Sequence, residues 1–152
     1  MTPFLEILYG LSHDTGLKLY PDQNEACKLV LENGIHVQLE MDPATDNLIL
    51  GGIIAETPPG KFREKILKHA LVANNQEFPN YGCLCYIHST NSLALYDTLP
   101  SKNVDTEFLI DFITVFADKV QTWKRALEEG RPGPNIITSA SSDNPPMFGL
   151  KS

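Results

Sequence analysis

Apolar positions recur at helical spacings of three and four in three stretches of this chain, and at the strand spacing of two between them. The first helical stretch carries Phe4, Leu5, Leu8 and Leu11. Thr2 can cap its N-terminus, Pro3 suits the first helical position because its missing N–H needs no partner there, and Gly16 suits the left-handed residue that ends a helix. Residues 17–26 read as a loop-like connector around Pro21 and Asp22. Leu29, Leu31, Ile35, Val37, Leu39 and Met41 then alternate with Lys28, Glu32, His36, Gln38 and Glu40, a hairpin turning at Asn33-Gly34, where both residues tolerate positive φ. A second turn over Asp42–Asn47 leads to NLILGGIIAE, residues 47–56, as the third strand of a meander. Leu48, Ile49, Leu50, Ile53, Ile54 and Ala55 make that strand apolar on both faces, whereas a strand with one wet face alternates. Its second face therefore needs a cover.

Thr57-Pro58-Pro59-Gly60 breaks the sheet, and a second helix is predicted over 61–76 with Phe62, Ile66, Ala70 and Ala73 on one stripe and Leu67 and Leu71 flanking it. After a loop over 77–82, LCYIH and SLALYD read as two more strands around Ser89-Thr90-Asn91-Ser92. Asp105 caps a third helix that runs to about Glu129 and stops at Gly130-Arg131-Pro132. Its stripe is Leu109, Ile113, Phe116, Val120, Trp123 and Leu127, widened by Phe108 and Phe112. From Arg131 the periodicity vanishes and Pro, Gly and Ser rise, so 131–152 is expected to be a flexible tail on a domain of residues 1–130. The fold class is α+β: helix, three strands, helix, two strands, helix, with a twisted, mainly antiparallel sheet.

With 152 residues of which 42% are hydrophobic, the chain suffices for one domain with a real core. A net charge of −7 argues against nucleic acid as a partner, whose phosphates need a basic surface. No apolar run approaches the ~18 residues that span a bilayer, and MTPFLEILYG has no basic segment ahead of its apolar residues, so a cytoplasmic protein is expected. Three cysteines, an odd number, fit reduced thiols better than a disulfide framework.

The search for chemistry finds little. Cys83-x-Cys85-x-x-His88 holds zinc-type donors, but no second ligand pair follows, and Cys27 sits as an ordinary strand residue. His13, His36 and His69 have no neighbours that would make them bases or nucleophiles. Gly51-Gly52 lacks the spacing of a phosphate loop and marks a bulge, a bend or a close backbone approach. Lys61, Arg63, Lys65 and Lys68 read as a solvated basic face with Glu64 in reach of Lys61 and Lys68, and Asp42, Asp46 and Asp97 do not form a calcium loop. No metal, no cofactor and no enzymatic activity are expected. What remains is apolar surface that needs either full cover by the helices or a partner.

This order of elements resembles the class I type III secretion chaperones, the Tir-chaperone family. The resemblance spans residues 3–129 and is carried by FLEILYGLSHDTGL, KLVLENGIHVQLEMDPATDNLILGGIIAE, FREKILKHALVANN, GCLCYIHSTNSLALYDTLP and FADKVQTWKRAL. It implies a cytoplasmic bacterial protein that consumes no ATP and binds the N-terminal segment of a secreted effector or regulator in extended, secretion-competent form. The implied effector-facing residues are Phe4, Leu5, Leu8, Leu11, Leu29, Leu31, Val37, Leu39, Leu48 and Leu50. The implied contact of a homodimer, or of a heterodimer with a second chaperone, is Phe62, Ile66, Ala70 and Leu71 with parts of the last two strands. Two other readings of the residues stay open: a small ligand-binding or enzymatic α+β domain whose pocket uses His36, His69 or His88, and a regulatory adaptor that recognises through its tail.

Overall fold

A computed structural model of the chain describes residues 2–76, 81–102 and 104–136. Its elements are α1 (Pro3–Thr15), β1 (Ala26–Val30), β2 (His36–Asp42), β3 (Asn47–Glu56), α2 (Lys61–Asn74), β4 (Cys83–Ile87), β5 (Ser92–Pro100) and α3 (Thr106–Glu128). The five strands form one antiparallel sheet in the order β1-β2-β3-β5-β4. The helix ends follow local chemistry. Thr2 Oγ1 accepts the Leu5 N–H, Asp105 accepts the Glu107 N–H, and Gly16 adopts φ 76° to end α1.

The β1–β2 turn differs in detail from a two-residue Asn-Gly turn. Leu31 N–H donates to Ile35 O, which leaves a three-residue loop, and only Gly34 in it has positive φ. Asn33 instead turns its side-chain oxygen onto the Ile35 N–H.

All three helices lie to one side of the sheet or along its β4 edge. The α3 stripe Leu109, Ile113, Phe116, Val120 and Trp123 packs over Leu48, Leu50, Ile54, Val37 and Leu39 in a single core. Gly52 permits the approach, because a Cβ there would sit 3.0 Å from Val120 Cγ2 and 3.5 Å from Phe116 Cε1. Phe112 is buried with that stripe while Phe108 lies exposed beside it, their ring centroids 6.1 Å apart. From α1, Phe4, Leu8 and Leu11 enter the same core, and Gly10 crosses Thr106 at the start of α3.

The sheet's two edges are treated differently. The Asn74 side chain at the end of α2 pairs with β4 as another strand would, accepting the Leu84 N–H at 2.7 Å and donating to the Leu84 carbonyl at 2.9 Å. Farther along, Arg63 donates to the Thr57 carbonyl and stacks over the Tyr86 ring. Edge β4 is thus covered by α2. Among the described residues edge β1 has no strand beyond it.

Residues 131–136, read from the sequence as the start of a loose tail, are seated against α2 and α3. Gly133 is buried between His69 and Trp123, where a Cβ would come within 2.3 Å and 2.7 Å of the two rings. The Pro134 carbonyl lies 2.6 Å from His69 Nε2, and Ile136 packs on the core. Trp123 and His69 meet edge to face. The rest of the expected tail, 137–152, lies outside the described residues.

Candidate functional site

The ten residues implied to face an effector divide sharply once folded. Phe4, Leu8, Leu11, Leu29, Val37, Leu39, Leu48 and Leu50 are buried in the chain's own core. Leu5 is 39% exposed and Leu31 is half-buried. The reason is periodicity: the same apolar repeat that marks an interaction stripe also marks the face that folding buries, and α3 takes that face first. Of the implied dimer residues, Ile66 and Ala70 are buried, Phe62 is half-buried, and Leu71 is 70% exposed next to the exposed Val72.

Among the described residues, three places with uncovered apolar surface bear on binding. The first is a groove of about 350 Å³ on the outer side of α1, bounded by Leu5, Leu8, Tyr9 and Ser12 and by Leu17, Lys18, Leu19, Tyr20 and Pro21 of the connector. Sequence reasoning missed the connector's share, although Leu17 and Leu19 alternate with Lys18 as a half-buried extended segment does.

The groove adjoins the free edge of β1. Glu25 O accepts the Met41 N–H and Leu31 N–H donates to Ile35 O, so odd-numbered residues of β1 face β2 and even-numbered ones turn their peptide groups outward. Asp22 occupies those of Ala26, its N–H donating to the Ala26 carbonyl and its carboxylate accepting the Ala26 N–H. The peptide groups of Lys28 and Val30 are left facing the open edge, a template for one more strand.

The second place is the sheet face opposite α3. There Ile49, Gly51 and Ile53 of β3 stand beside Ala94 and Tyr96 of β5 and Cys85 and Ile87 of β4, before a register shift after Ile53 pairs Ala55 with the buried Leu93. They line a shallow cavity of about 710 Å³, which also reaches Lys28, His36, Gln38, Glu40 and Lys124. Ile53 is 56% exposed. Among the described residues nothing covers Ile53 on the second face of the doubly apolar strand. The third place is the outer side of α2 at Leu71 and Val72.

The candidate chemical groups do not converge. His36 sits at the head of β2 on the open sheet face, His69 packs against Trp123, and His88 lies exposed in the β4–β5 turn. Among the described residues no three His, Cys, Asp or Glu side chains are placed to hold a metal ion. Burial, together with the adjacent Cys83, pushes the Cys85 thiol above its usual range, which keeps it protonated and poorly nucleophilic at neutral pH. Burial likewise raises Cys27. Among the described residues no helix is long and apolar enough to cross a membrane.

An uncovered sheet face, an open edge and an apolar helix groove describe a surface for polypeptides, and comparison with known proteins agrees. A model of the Tir chaperone protein (CesT) family matches residues 6–124, from the first turn of α1 to the last turns of α3. The chain belongs to the Tir chaperone protein (CesT) family. This is a family of type III secretion chaperones, and the helix, three strands, helix, two strands, helix order is theirs. Solved structures share the fold. The chaperone–effector complex HopA1–SchA superposes with a TM-score of 0.67 at 17% identity, over 82% of this chain and 94% of that one. The heterodimeric ExoU–SpcU complex from the type III secretion system of Pseudomonas aeruginosa gives 0.63 at 16% identity, over 81% and 98%. The ExsC–ExsE complex gives 0.60 at 17% identity, over 80% and 91%. Comparison with curated protein sequences finds no match.

Proposed function

We propose that this member of the Tir chaperone family binds the N-terminal segment of a secreted effector or regulator in extended form in the bacterial cytosol, without catalysing a reaction. The observation that carries the reading is the open edge of β1 beside the apolar α1 groove. A guest strand that pairs with the peptide groups of Lys28 and Val30 places alternate side chains toward Leu5, Tyr9, Leu17 and Tyr20. Backbone pairing supplies affinity that is nearly independent of guest sequence, and the groove selects apolar residues at every second position. The guest stays unfolded because its strand hydrogen bonds are satisfied by the chaperone.

Leu5→Asp tests this. The side chain is exposed enough for a carboxylate to remain solvated, so the fold should survive while the groove becomes hostile to an apolar guest. Tagged wild-type chain recovered from type III-active cells is expected to bring down a secreted protein that binds through its N-terminal segment. The variant should lose about tenfold or more of that partner with an unchanged circular dichroism melt. Undiminished capture by Leu5→Asp, or capture through a folded domain of the partner, would sink the reading.

The same proposal includes a homodimer through the outer side of α2. Leu71 and Val72 are apolar side chains held in water by one chain alone, beside the half-buried Phe62. Light scattering at micromolar protein should give twice the chain mass for wild type and the single-chain mass for Leu71→Asp. A monomeric wild type, or a dimer indifferent to Leu71→Asp, would remove α2 from the interface.

A further inference from the structure

The open edge of β1 offers a side chain as well as free peptide groups. We infer that the guest strand is selected by charge at one position: it carries an aspartate or glutamate directly opposite Lys28, framed in sequence by two apolar residues. The assignment rests on the guest reading above and adds to it the chemistry of that position.

The register follows from the edge itself. An antiparallel strand added to β1 pairs with the residues whose N–H and C=O point outward, Lys28 and Val30. Asp22 already fills the peptide groups of Ala26, so pairing ends between Ala26 and Lys28. Residues directly opposite each other on neighbouring strands point to the same face, with Cβ atoms about 4.5–5.5 Å apart. Lys28 stands opposite Gln38 on the sheet face away from α3, whereas Cys27 and Leu29 are buried on the other. The guest residue opposite Lys28 therefore turns onto the open face, and the residues just before and after it turn toward the α1 groove. An antiparallel guest meets Val30 before it meets Lys28. Read from its N-terminus, the pattern that fits is apolar, β-branched, apolar, acidic, apolar, with the β-branched residue beside the exposed Val30.

Charge complementarity selects the acidic residue. Lys28 is exposed, and no carboxylate among the described residues lies within ion-pair distance of it. Glu40, on the same face, stands opposite Ala26 and accepts a hydrogen bond from the Gln38 amide instead. On the other side of the guest's path the groove has one charged side chain along it, Lys18, which is also without an ion pair among the described residues. The path thus has a lysine on each side, in a chain whose net charge is −7. A lysine on an edge strand discourages indiscriminate pairing, because an incoming strand must bury part of its charge or oppose it with another. A carboxylate opposite turns that barrier into a pair. Lys28 then rejects cationic strands and admits acidic ones, a discrimination that backbone hydrogen bonds do not provide. The overall negative charge opposes an acidic guest only at long range, and at physiological salt a Debye length of about 8 Å screens it while the contact pair persists.

Two peptides test the position. One is Leu-Thr-Leu-Glu-Leu between Gly-Ser flanks, with fluorescein at its N-terminus and an amidated C-terminus, and the other has lysine in place of the glutamate. Binding to the full chain is read by fluorescence anisotropy at physiological salt, with protein up to millimolar concentration. Wild type is expected to prefer the glutamate peptide by about fivefold, Lys28→Gln to bind the two alike, and Lys28→Glu to reverse the preference. Position 28 is exposed, so the variants should keep the wild-type circular dichroism spectrum, and Lys28→Gln alone decides if Lys28→Glu does not fold. Leu5→Asp should weaken both peptides by the same factor. Equal affinity of wild type for the two peptides, a preference for lysine, or a preference for glutamate that survives in Lys28→Gln would overturn the acidic assignment and leave the guest reading standing. Binding of neither peptide, or binding indifferent to Leu5→Asp, would overturn both.

Discussion

Phe116→Ala is expected to lower the stability of the chain by about 3–5 kcal/mol, the cost of a large core truncation that leaves a cavity. Phe116 is fully buried, and it sits where α3 comes closest to the sheet, its ring 3.5 Å from the place where a Gly52 Cβ would be. Neighbours cannot collapse into the space. Gly52 has no side chain to offer, Val120 already touches the same strand, and the helix is held at both ends by Gly10 against Thr106 and by Trp123 against His69. Small domains have only about 5–15 kcal/mol of net stability, so this one change removes a large share. Urea unfolding followed by circular dichroism measures it. The midpoint should fall sharply at nearly unchanged slope, and a loss under about 1 kcal/mol would mean that α3 does not pack on β3 as described.

The second large effect separates two residues one turn apart on α1. Leu8→Asp should prevent folding, whereas Leu5→Asp should fold as wild type does. Leu8 is 1% exposed within the cluster of Phe4, Leu11 and α3, so a carboxylate there must be buried or kept protonated. Either costs several kcal/mol. Soluble yield and the far-ultraviolet spectrum of the two variants decide it. A well-folded Leu8→Asp chain would place that side chain on the surface.

Helix ends were the most legible part of the fold, because each is set by residues within one turn of it. Thr2, Pro3 and Gly16 bound α1, and Asp105 bounds α3, through hydrogen bonds and φ values that involve almost nothing distant. The β1–β2 turn was legible to within one residue: Gly34 takes the left-handed conformation, but Asn33 serves through its side chain. Less legible were features made by residues far apart in the chain. Nothing local to Asn74 announces that its amide will complete the edge of β4, and nothing in Gly133-Pro134 announces a seat between His69 and Trp123.

The candidate site shows the same division. Leu5, Leu8 and Leu11 carry one hydrophobic repeat, yet only Leu5 stays in contact with water, because α3 takes the stripe that faces the sheet and leaves its flank. In β3 both faces carry branched apolar residues, Leu48, Leu50 and Ile54 on one and Ile49 and Ile53 on the other. Each face has one glycine, Gly52 under α3 and Gly51 on the other side, so the strand alone does not choose between them; the packed α3 stripe does.

By itself the amino-acid sequence determined the eight elements, their order and the α+β class, since these follow from periodicity, caps and turn residues acting over a few positions. The tertiary structure alone decided which apolar residues are core and which are surface. Burial is settled by competition among faces for the same neighbours, and that competition exists only once α1 and α3 have packed on one face of the sheet and α2 along its β4 edge.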